Sequence, residues 1–225
     1  MAAVLMGPLR LLLFGAPGVG KGTQAAEMQE RHGVQHISTG DMLRSAIRNG
    51  TPQGIQAKSI VERGELVPDA LISEMIGTRL RQEDVQEGFV LDGFPRTVAQ
   101  AEYLDTTLAA AGRSLDGVIN IAVPAAEIEA RLTGRWVCGT CGANYHVRFR
   151  QPRASGRCDV CGGALVQRQD DTLEVIRGRL RVYGAQTAPV LEHYRRLGLL
   201  IEVDGCGRPE DVAARIEAAV EARKG

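Results

Sequence analysis

The sequence carries no excess of charge of either sign. Its 225 residues include 27 lysines and arginines against 27 aspartates and glutamates, so the formal net charge at pH 7 is zero. Proteins that are drawn to nucleic acid or to an anionic membrane by their overall field usually have a clear positive excess. We therefore expect no nucleic-acid or membrane partner, and any anion binding must depend on locally gathered charge.

Long apolar runs, internal repeats and low-complexity tracts are also missing. The apolar stretch that ends at Phe14 is too short to span a bilayer. Its removal as a signal peptide would destroy the glycine-rich motif that follows directly, so we expect a cytoplasmic protein. With 44% hydrophobic and 24% charged residues, the composition is typical of a soluble chain with one domain, or with one domain that carries smaller lobes.

A glycine-rich loop follows the first predicted strand. Residues 15–23 read GAPGVGKGT, directly after the apolar residues 9–14. In a strand, loop and helix of this kind, backbone N–H groups and the positive end of the helix dipole converge on one point, which suits a polyphosphate. Lys21 adds a charge for the terminal phosphates. Gly22 stands where the pattern GxxxxGK[ST] has its hydroxyl residue, and Thr23 comes one place later.

Predicted strands and helices alternate along most of the chain. Besides the strand at 9–14, short apolar runs indicate strands at 34–38, 88–92, 117–123 and 199–203. Helix-length segments lie at 23–31, 69–82, 97–111, 125–132, 172–196 and 209–224. This alternation predicts an α/β fold, with a parallel five-stranded sheet flanked by helices and with ligands at the carboxyl ends of the strands.

Two segments interrupt the alternation. Residues 38–67 lie between predicted strands and are expected to be wholly helical, with glycines as breaks. Residues 134–171 contain four of the five cysteines and little helical periodicity, which indicates an inserted lobe. The predicted core then consists of residues 1–37, 68–133 and 172–225.

The cysteines of the inserted lobe have the spacing of a metal site. Cys138 and Cys141 form one C-x2-C pair, and Cys158 and Cys161 form another after sixteen residues. This is the spacing of a structural zinc knuckle, in which two turns present four thiolates to one ion. Two disulfides are the alternative, which a reducing compartment disfavours. Because four thiolates fill the coordination sphere, we expect a structural Zn²⁺ that activates no water.

Four strings together resemble the adenylate kinase family, in its long form with a zinc-bearing lid. They are GAPGVGKGT, ISTGDMLR at 37–44, GFVLDGFPRT at 88–97, and the cysteine lobe that closes with RQDD at 168–171. The resemblance covers nearly the whole chain. It implies the P-loop nucleoside monophosphate kinase fold, with residues 38–67 as the NMP-binding insertion and 134–171 as the lid. It also implies a monomer that catalyses the reversible, Mg²⁺-dependent reaction ATP + AMP = 2 ADP, in adenine nucleotide homeostasis and purine salvage.

The resemblance also implies which residues act in catalysis. Phosphoryl transfer needs little covalent help from the protein, so charge and alignment should dominate the site. Arginine suits this work because its planar fork can hold two phosphate oxygens. Asp92, at the end of a predicted strand, would orient water on the magnesium ion, and Asp41 and Asp170 resemble further acidic partners. The catalytic residues that the resemblance implies are Lys21, Arg96, Arg131, Arg135, Arg168, Arg179 and Asp92.

Two nucleotide sites follow from the same resemblance. The implied ATP-binding residues are Gly18, Val19, Gly20, Lys21, Gly22, Thr23, Arg135, Asn144, Tyr145 and Gly207. The implied AMP-binding residues are Thr39, Arg44, Glu65, Leu66, Val67, Gly93, Phe94, Pro95, Arg96, Gln100, Arg168 and Arg179. Among them Thr39 and Gln100 favour adenine as the base.

Two other functions fit parts of the sequence. A related kinase for UMP or CMP, or with GTP as donor, would use the same sheet, although Thr39 and Gln100 argue against it. A phosphate-loop protein that binds nucleic acid through its cysteine lobe would use Tyr145 and Phe149 for stacking, beside a basic patch. The arginines of that patch are Arg148, Arg150, Arg153 and Arg157.

Overall fold

Strands and helices account for most of the chain. The computed structural model describes residues 8–224, so residues 1–7 and 225 of the predicted core segments lie outside it. The strands in the described range are β1 (Leu9–Phe14), β2 (Gln35–Ser38), β3 (Gly88–Asp92), β4 (Gly117–Ala122), β5 (Arg135–Cys138), β6 (Asn144–His146), β7 (Leu165–Val166) and β8 (Leu200–Asp204). The α-helices there are α1 (Lys21–His32), α2 (Thr39–Arg48), α3 (Pro52–Glu62), α4 (Asp69–Leu80), α5 (Val98–Ala110), α6 (Ala125–Thr133), α7 (Leu173–Val182), α8 (Ala188–Arg196) and α9 (Pro209–Lys224).

A five-stranded parallel sheet has the order β2-β3-β1-β4-β8. At its centre, Leu11 of β1 lies opposite Val90 of β3 on one side and Gly117 of β4 on the other. Strands that are buried on both faces need apolar side chains throughout, which explains the leucine-rich sequence of β1. The predicted parallel α/β fold is confirmed, and each predicted strand begins and ends within one residue of an observed strand.

Helices cover both faces of this sheet. Leu12 of β1 belongs to a buried cluster with side chains of α4, α5 and α8, whereas its neighbour Leu13 packs with side chains of α1, α6, α7 and α9. Successive residues of a strand point to opposite faces, so one strand contributes to both clusters. Both faces thus bury apolar surface, and the sheet holds its carboxyl edge, where β1 and β3 end, in a fixed place.

The predicted helix at 172–196 contains a π-helical turn. This turn occupies Tyr183–Thr187, between α7 and α8. Pro189 follows as the second residue of α8. Proline has no N–H to donate and its ring crowds the carbonyl group four residues earlier, so the helix accommodates it by widening one turn. The other predicted helices agree with the structure to within two residues at each end.

Helices α2 and α3 form a tightly packed hairpin inside the segment 38–67. Gly54 lies directly against the preceding helix, and a Cβ at this position would overlap the carbonyl group of Ala46. The two helices therefore pack backbone against backbone. Residues 63–67 are not helical, which differs from the expectation for the whole segment, because Gly64 adopts a φ of 73° and ends the helical path.

The cysteine-rich segment 134–171 forms a small antiparallel sheet in the order β6-β5-β7. Trp136 of β5 lies opposite Tyr145 of β6, and Val137 lies opposite Val166 of β7. The low helical content is as expected for this lobe, although its strands are too short to carry a recognisable alternation. A single 3-10 turn at Gln169–Asp171 leads back to α7.

Candidate active site

The carboxyl ends of β1 and β3 open into a cleft with two adjoining pockets. The larger pocket is lined by the predicted residues Gly18, Val19, Gly20, Lys21, Gly22, Thr23, Asp92, Phe94, Pro95, Arg131, Arg135, Asn144, Tyr145, Arg168 and Gly207. The smaller pocket is lined by Thr39, Glu65, Val67 and Gln100. Lining both are Arg44, Leu66, Gly93, Arg96 and Arg179. Every residue predicted to act in catalysis or nucleotide binding thus lines the cleft, while its part in binding or catalysis stays a prediction.

The phosphate loop turns sharply between β1 and α1. Gly18 and Gly20 have φ values of 91° and 102°, a region that side-chain-bearing residues rarely adopt. The ammonium group of Lys21 lies across the loop and donates to the carbonyl oxygens of Gly15 at 2.7 Å and Ala16 at 3.0 Å. The loop therefore holds its cation close to the helix N-terminus, where an anion is stabilised.

The pKa of Lys21 is lowered from 10.5 to about 8. Burial is the main cause, because it removes water from the ammonium group. Asp92 partly offsets the shift, whereas Arg96, Arg179 and Arg135 add to it by repulsion. Lys21 thus lies in an excess of positive charge, which a bound polyanion would neutralise.

The arginines around the pockets share this excess. Burial lowers the pKa of Arg96 to about 10, and the nearby Arg179 adds to the shift. The pKa of Arg168 is also lowered to about 10, first by burial and then by Arg135 and Arg44. All of them remain cations at neutral pH, so the cleft gathers positive charge in a protein whose net charge is zero. Such a concentration attracts phosphate groups.

Two neighbouring carboxylates hold the arginines in place. The side chain of Asp171 is fully buried and accepts two hydrogen bonds from Arg135, at 2.8 and 2.5 Å. Arg179 approaches the same carboxylate at 3.4 Å and bonds to Asp170 at 3.0 Å. Sequence reasoning considered Asp170 as an arginine partner but missed Asp171. Asp171 is the last residue of the RQDD string, so the motif contained it. The string alone does not show that this aspartate is buried against Arg135.

Arg168 and Arg44 line the cleft, and each bonds to a neighbouring side chain. Arg168 bonds to the Asn144 side chain at 3.2 Å, while its Nε is buried and has no hydrogen-bond partner among the described residues. Arg44 bonds to Asp41 one turn earlier on α2, at 2.6 Å. Both arginines line the larger pocket, so their positive charge would attract an anionic ligand there.

Arg131 bridges two loops. Its guanidinium donates to the carbonyl oxygen of Val19 in the phosphate loop at 3.1 Å and to that of Gly205 after β8 at 3.0 Å. It also pairs with Glu127 on the same helix. Three protein acceptors take up most of its donors, so the geometry favours a positioning role for this residue over direct contact with phosphate.

Asp92 lies at the end of β3 beside the phosphate loop. A Cβ at Gly22 would lie 3.4 Å from its Oδ2, an ordinary van der Waals contact, so the carboxylate is a close neighbour of the phosphate loop. His36 Nε2 lies 3.9 Å from the same oxygen, and this nitrogen is buried with no hydrogen-bond partner in the described part of the chain. Sequence reasoning missed His36, because it carries no motif of its own. One carboxylate beside a phosphate site fits the ligand set of Mg²⁺.

The smaller pocket has a connected polar wall. The hydroxyl of Thr39 donates to the Asp92 carbonyl oxygen at 3.2 Å. The Gln100 amide accepts the Arg96 backbone N–H at 2.7 Å and donates to Asp69 at 2.7 Å. These polar groups satisfy one another, while Arg44, Arg96 and Arg179 bring positive charge to this pocket as well.

The four predicted metal ligands lie together. The sulfurs of Cys138, Cys141, Cys158 and Cys161 are all within 4.8 Å of one another, and none is in a disulfide. The distances are 3.4 Å between Cys138 and Cys161 and 3.5 Å between Cys141 and Cys158. A tetrahedron with metal–sulfur bonds of about 2.3 Å has sulfur–sulfur edges of about 3.8 Å, so the cluster fits one thiolate-bound ion. The disulfide alternative is not observed.

Tyr145 belongs to the cysteine cluster as well as to the cleft. Its hydroxyl donates to the Cys158 sulfur at 3.5 Å and accepts the Asp159 N–H at 2.7 Å. The hydrogen bond from Tyr145 is the first cause that lowers the pKa of Cys158 to about 6, which favours the thiolate. The nearby His146 is not part of the cluster, since its Nδ1 accepts the N–H groups of Arg148 and Phe149.

Comparison with known proteins bears on the whole chain. In the described residues, no helix is long and apolar enough to cross a membrane. The family model described as "Adenylate kinase" matches residues 13–199. An adenylate kinase of Carboxydothermus hydrogenoformans is 52% identical over 213 residues, which cover 95% of this chain and 100% of that protein.

Two further relatives carry the same name. The adenylate kinase of Moorella thermoacetica is 54% identical over 197 residues, with 88% of this chain and 91% of the relative covered. The adenylate kinase of Methanocella arvoryzae is 50% identical over 212 residues, which cover 94% of this chain and 98% of that relative. With the phosphate loop, the parallel sheet and the cysteine cluster in place, the chain belongs to the adenylate kinase family of enzymes.

Proposed function

We propose that this protein catalyses the reversible transfer of the terminal phosphoryl group of ATP to AMP, with two ADP as products. The observation that carries the proposal is the position of Arg44, Arg96 and Arg179, which line both pockets of one cleft. A phosphoryl group that passes between two nucleotides must cross such a junction. Cations there stabilise the negative charge of the transition state.

ATP would occupy the larger pocket, with its phosphates on the loop 15–23. Lys21 lies on the carbonyl oxygens of Gly15 and Ala16, and it would exchange these for phosphate oxygens. The Asn144 side chain and the Gly207 turn line the far parts of this pocket, where the nucleoside would lie. Arg131, between the phosphate loop and Gly205, would keep these two walls at a fixed separation.

AMP would occupy the smaller pocket, with its phosphate toward Arg44 and Arg96. The remaining lining residues, Thr39, Glu65, Leu66, Val67 and Gln100, would surround the ribose and the base. Arg135 and Arg179 are held by Asp171, and Arg168 keeps a free buried Nε. We expect these three arginines to bind the transferring phosphoryl group, because their planar forks suit its oxygens and align it between the nucleotides.

The cofactor of the reaction would be Mg²⁺, which enters with ATP. Asp92 is the carboxylate that would hold it, through water, beside Gly22 of the phosphate loop. When bound, the ion neutralises charge on the phosphates and orients them.

A second ion, Zn²⁺, would be structural. Four thiols that lie within 4.8 Å of one another suit a soft, tetrahedral ion, and no coordination position is left for water. Metal analysis of purified protein should find about one zinc per chain. The four unpaired thiols also support a reducing compartment, and with the zero net charge they lead us to propose a cytoplasmic protein without nucleic-acid or membrane partners. The proposed monomeric state rests on the resemblance to the family.

Residues 38–67 and 134–171 would move as an NMP-binding segment and a lid. Water at the transferring phosphoryl group would hydrolyse ATP, so the cleft must close around both nucleotides and open again to release them. Labels on the lid and on the core, with and without two adenosines linked by five phosphates, would measure the closure. A distance that did not shorten in the complex would contradict it.

The experiment that tests the proposed function is a coupled assay of ADP formation. ATP or GTP is offered as donor, with AMP, UMP, CMP or GMP as acceptor. Turnover restricted to AMP with ATP as the better donor is the expected result, and a preference for UMP or CMP would overturn it. The nucleic-acid alternative loses support because Tyr145, one of its two stacking residues, is only 3% exposed.

A further inference from the structure

The amide of Gln100 is held in one orientation by two groups that cannot exchange roles. Its Nε2 donates to Oδ1 of Asp69 at 2.7 Å, and its Oε1 accepts the Arg96 N–H at 2.7 Å. A carboxylate only accepts and a backbone N–H only donates, so a 180° flip of the amide would break both hydrogen bonds. The side chain is 2% exposed, so water cannot replace either partner. The order of the amide oxygen and nitrogen is therefore fixed.

Asp69 makes this connection between two helices. It is the first residue of α4, separated by Pro68 from the segment 65–67 of the smaller pocket, and it is absent from the residues that line that pocket. Its Oδ2 accepts the hydroxyl of Thr97 at 2.7 Å, and Thr97 caps α5 by accepting the Gln100 N–H at 3.2 Å. One carboxylate thus joins the start of α4 to the start of α5 and to the side chain that faces the pocket.

The fixed amide presents a defined pattern to a ligand. A glutamine amide has two N–H groups and two lone pairs on its oxygen, and Asp69 and Arg96 each use one. One N–H and one lone pair remain, in a set order. Adenine offers an N6–H donor beside an N1 acceptor, whereas hypoxanthine and guanine offer the O6 acceptor beside an N1–H donor. In a given base position, the fixed amide matches one order and opposes the other.

We propose that Asp69 is a specificity-determining positioning residue. By holding Nε2 of Gln100, it makes the smaller pocket accept adenine and reject 6-oxopurines, although it touches no substrate itself. The inference rests on the proposed function, because it takes the smaller pocket as the AMP site. Gln100 also holds the backbone of Arg96, whose side chain donates to the Gly93 carbonyl oxygen at 2.7 Å. Recognition of the base is therefore connected to the position of a phosphate-binding arginine.

The test compares AMP with IMP as acceptor, with ATP as donor. Asp69→Leu keeps the branched shape but removes the acceptor, and we expect the ratio of kcat/KM for AMP to that for IMP to fall about 10- to 100-fold, mainly through KM for AMP. Asp69→Asn should retain most of the ratio, since its Oδ1 can still accept from Gln100 while its amide donates to Thr97. Thr97→Val is the matched structural control, with a lower Tm and an unchanged ratio.

The outcomes separate this inference from the proposed function. A wild-type protein that does not phosphorylate AMP would overturn the proposed function. A wild-type protein that prefers AMP, together with a folded Asp69→Leu variant of unchanged ratio, would overturn the role of Asp69 alone. If the leucine variant does not fold, Asp69→Ser carries the same expectation, because its hydroxyl is too short to reach Gln100 and still suits the first turn of α4.

Discussion

The phosphate cluster and the cysteine cluster both bring together groups that repel one another, but they are stabilised differently. The phosphate cluster comprises Lys21, Arg96, Arg135, Arg168 and Arg179, and the carboxylates Asp92, Asp170 and Asp171 lie among them. The cysteine cluster comprises Cys138, Cys141, Cys158 and Cys161, and no cationic side chain pairs with its sulfurs among the described residues. The first carries its own counter-charges, whereas the second depends on a metal.

This difference separates an exchangeable ligand from a permanent one. A nucleotide must leave in every cycle, so the fold around the phosphate cluster has to persist without it, and buried pairs such as Arg135 with Asp171 serve that need. The cysteine lobe has a buried apolar cluster of only four residues in the described chain, which include two of the cysteines. A core of that size cannot hold a lobe together without a metal.

Removal of the metal should have the largest effect. Structural zinc contributes about 10–16 kcal/mol to small thiolate domains, so a chelator or the double change Cys138→Ser with Cys141→Ser should unfold the lobe. Hydrogen exchange would then show loss of protection in β5 and β6 while β1 and β3 stay protected. Equal loss of exchange protection in the lobe and in the five-stranded sheet, or no loss in either, would contradict the proposed dependence of the lobe on its metal.

Loss of the loop cation should affect turnover and leave the fold intact. Lys21→Ala removes a charge aimed at the transferring phosphoryl group, and kcat should fall about 10²- to 10³-fold. Tm should change little, because the variant also relieves repulsion from Arg96 and Arg179. Lys58→Ala, at an exposed position of α3, is the matched control and should retain full turnover. Near-normal turnover of a folded Lys21→Ala variant would rule out this loop as the reaction centre.

Without one of its internal carboxylates, the phosphate cluster should depend on a bound ligand for stability, as the cysteine cluster depends on its metal. Asp171→Asn leaves Arg135 without its buried ionic partner, and we expect the free energy of unfolding to fall by about 2–3 kcal/mol, since Arg135 keeps some access to water. The linked-adenosine analogue should then raise Tm more than it does in the wild type. Asp84→Asn breaks an exposed pair with Arg79 of similar geometry and should change Tm little.

The pH effect should be absent at neutral pH and appear only above pH 8. In the ligand-free protein the pKa of Lys21 is about 8, and bound phosphates raise it. Nucleotide binding above pH 8 must therefore take up a proton, so calorimetric affinity for ATP should fall as pH rises from 8 to 10, by up to about tenfold per pH unit. The Lys21→Met variant should lose this dependence. A steep dependence that persisted in the variant would assign the titration to another group.

Much of this organisation was predictable from the sequence, because short motifs encode it. The loop 15–23 and the strand that ends at Asp92 are contiguous strings whose chemistry is local. The four cysteines cluster as their C-x2-C spacing indicates. The buried strands are apolar runs, so their positions were predicted to within one residue.

The features that were missed depend on partners far apart in the chain. Asp171 pairs with Arg135 across 36 residues, and Asp69 reaches Gln100 across 31. An aspartate in RQDD or at a helix start reads as a surface group until the fold brings its partner to it. The strands of the cysteine lobe were missed for another reason, because two to four residues are too few to show a period.

The close packing at Gly54 makes the α2–α3 hairpin a rigid unit. Its two helices touch through backbone atoms, so they cannot slide past each other, and bending is confined to the ends of the hairpin. For a small rotation about the ends that join the core, the displacement of the hairpin then increases toward the turn between α2 and α3. Ile55 is 70% exposed and lies four residues after the turn at 49–51, so an optical or spin label there would report the movement of that end of the hairpin.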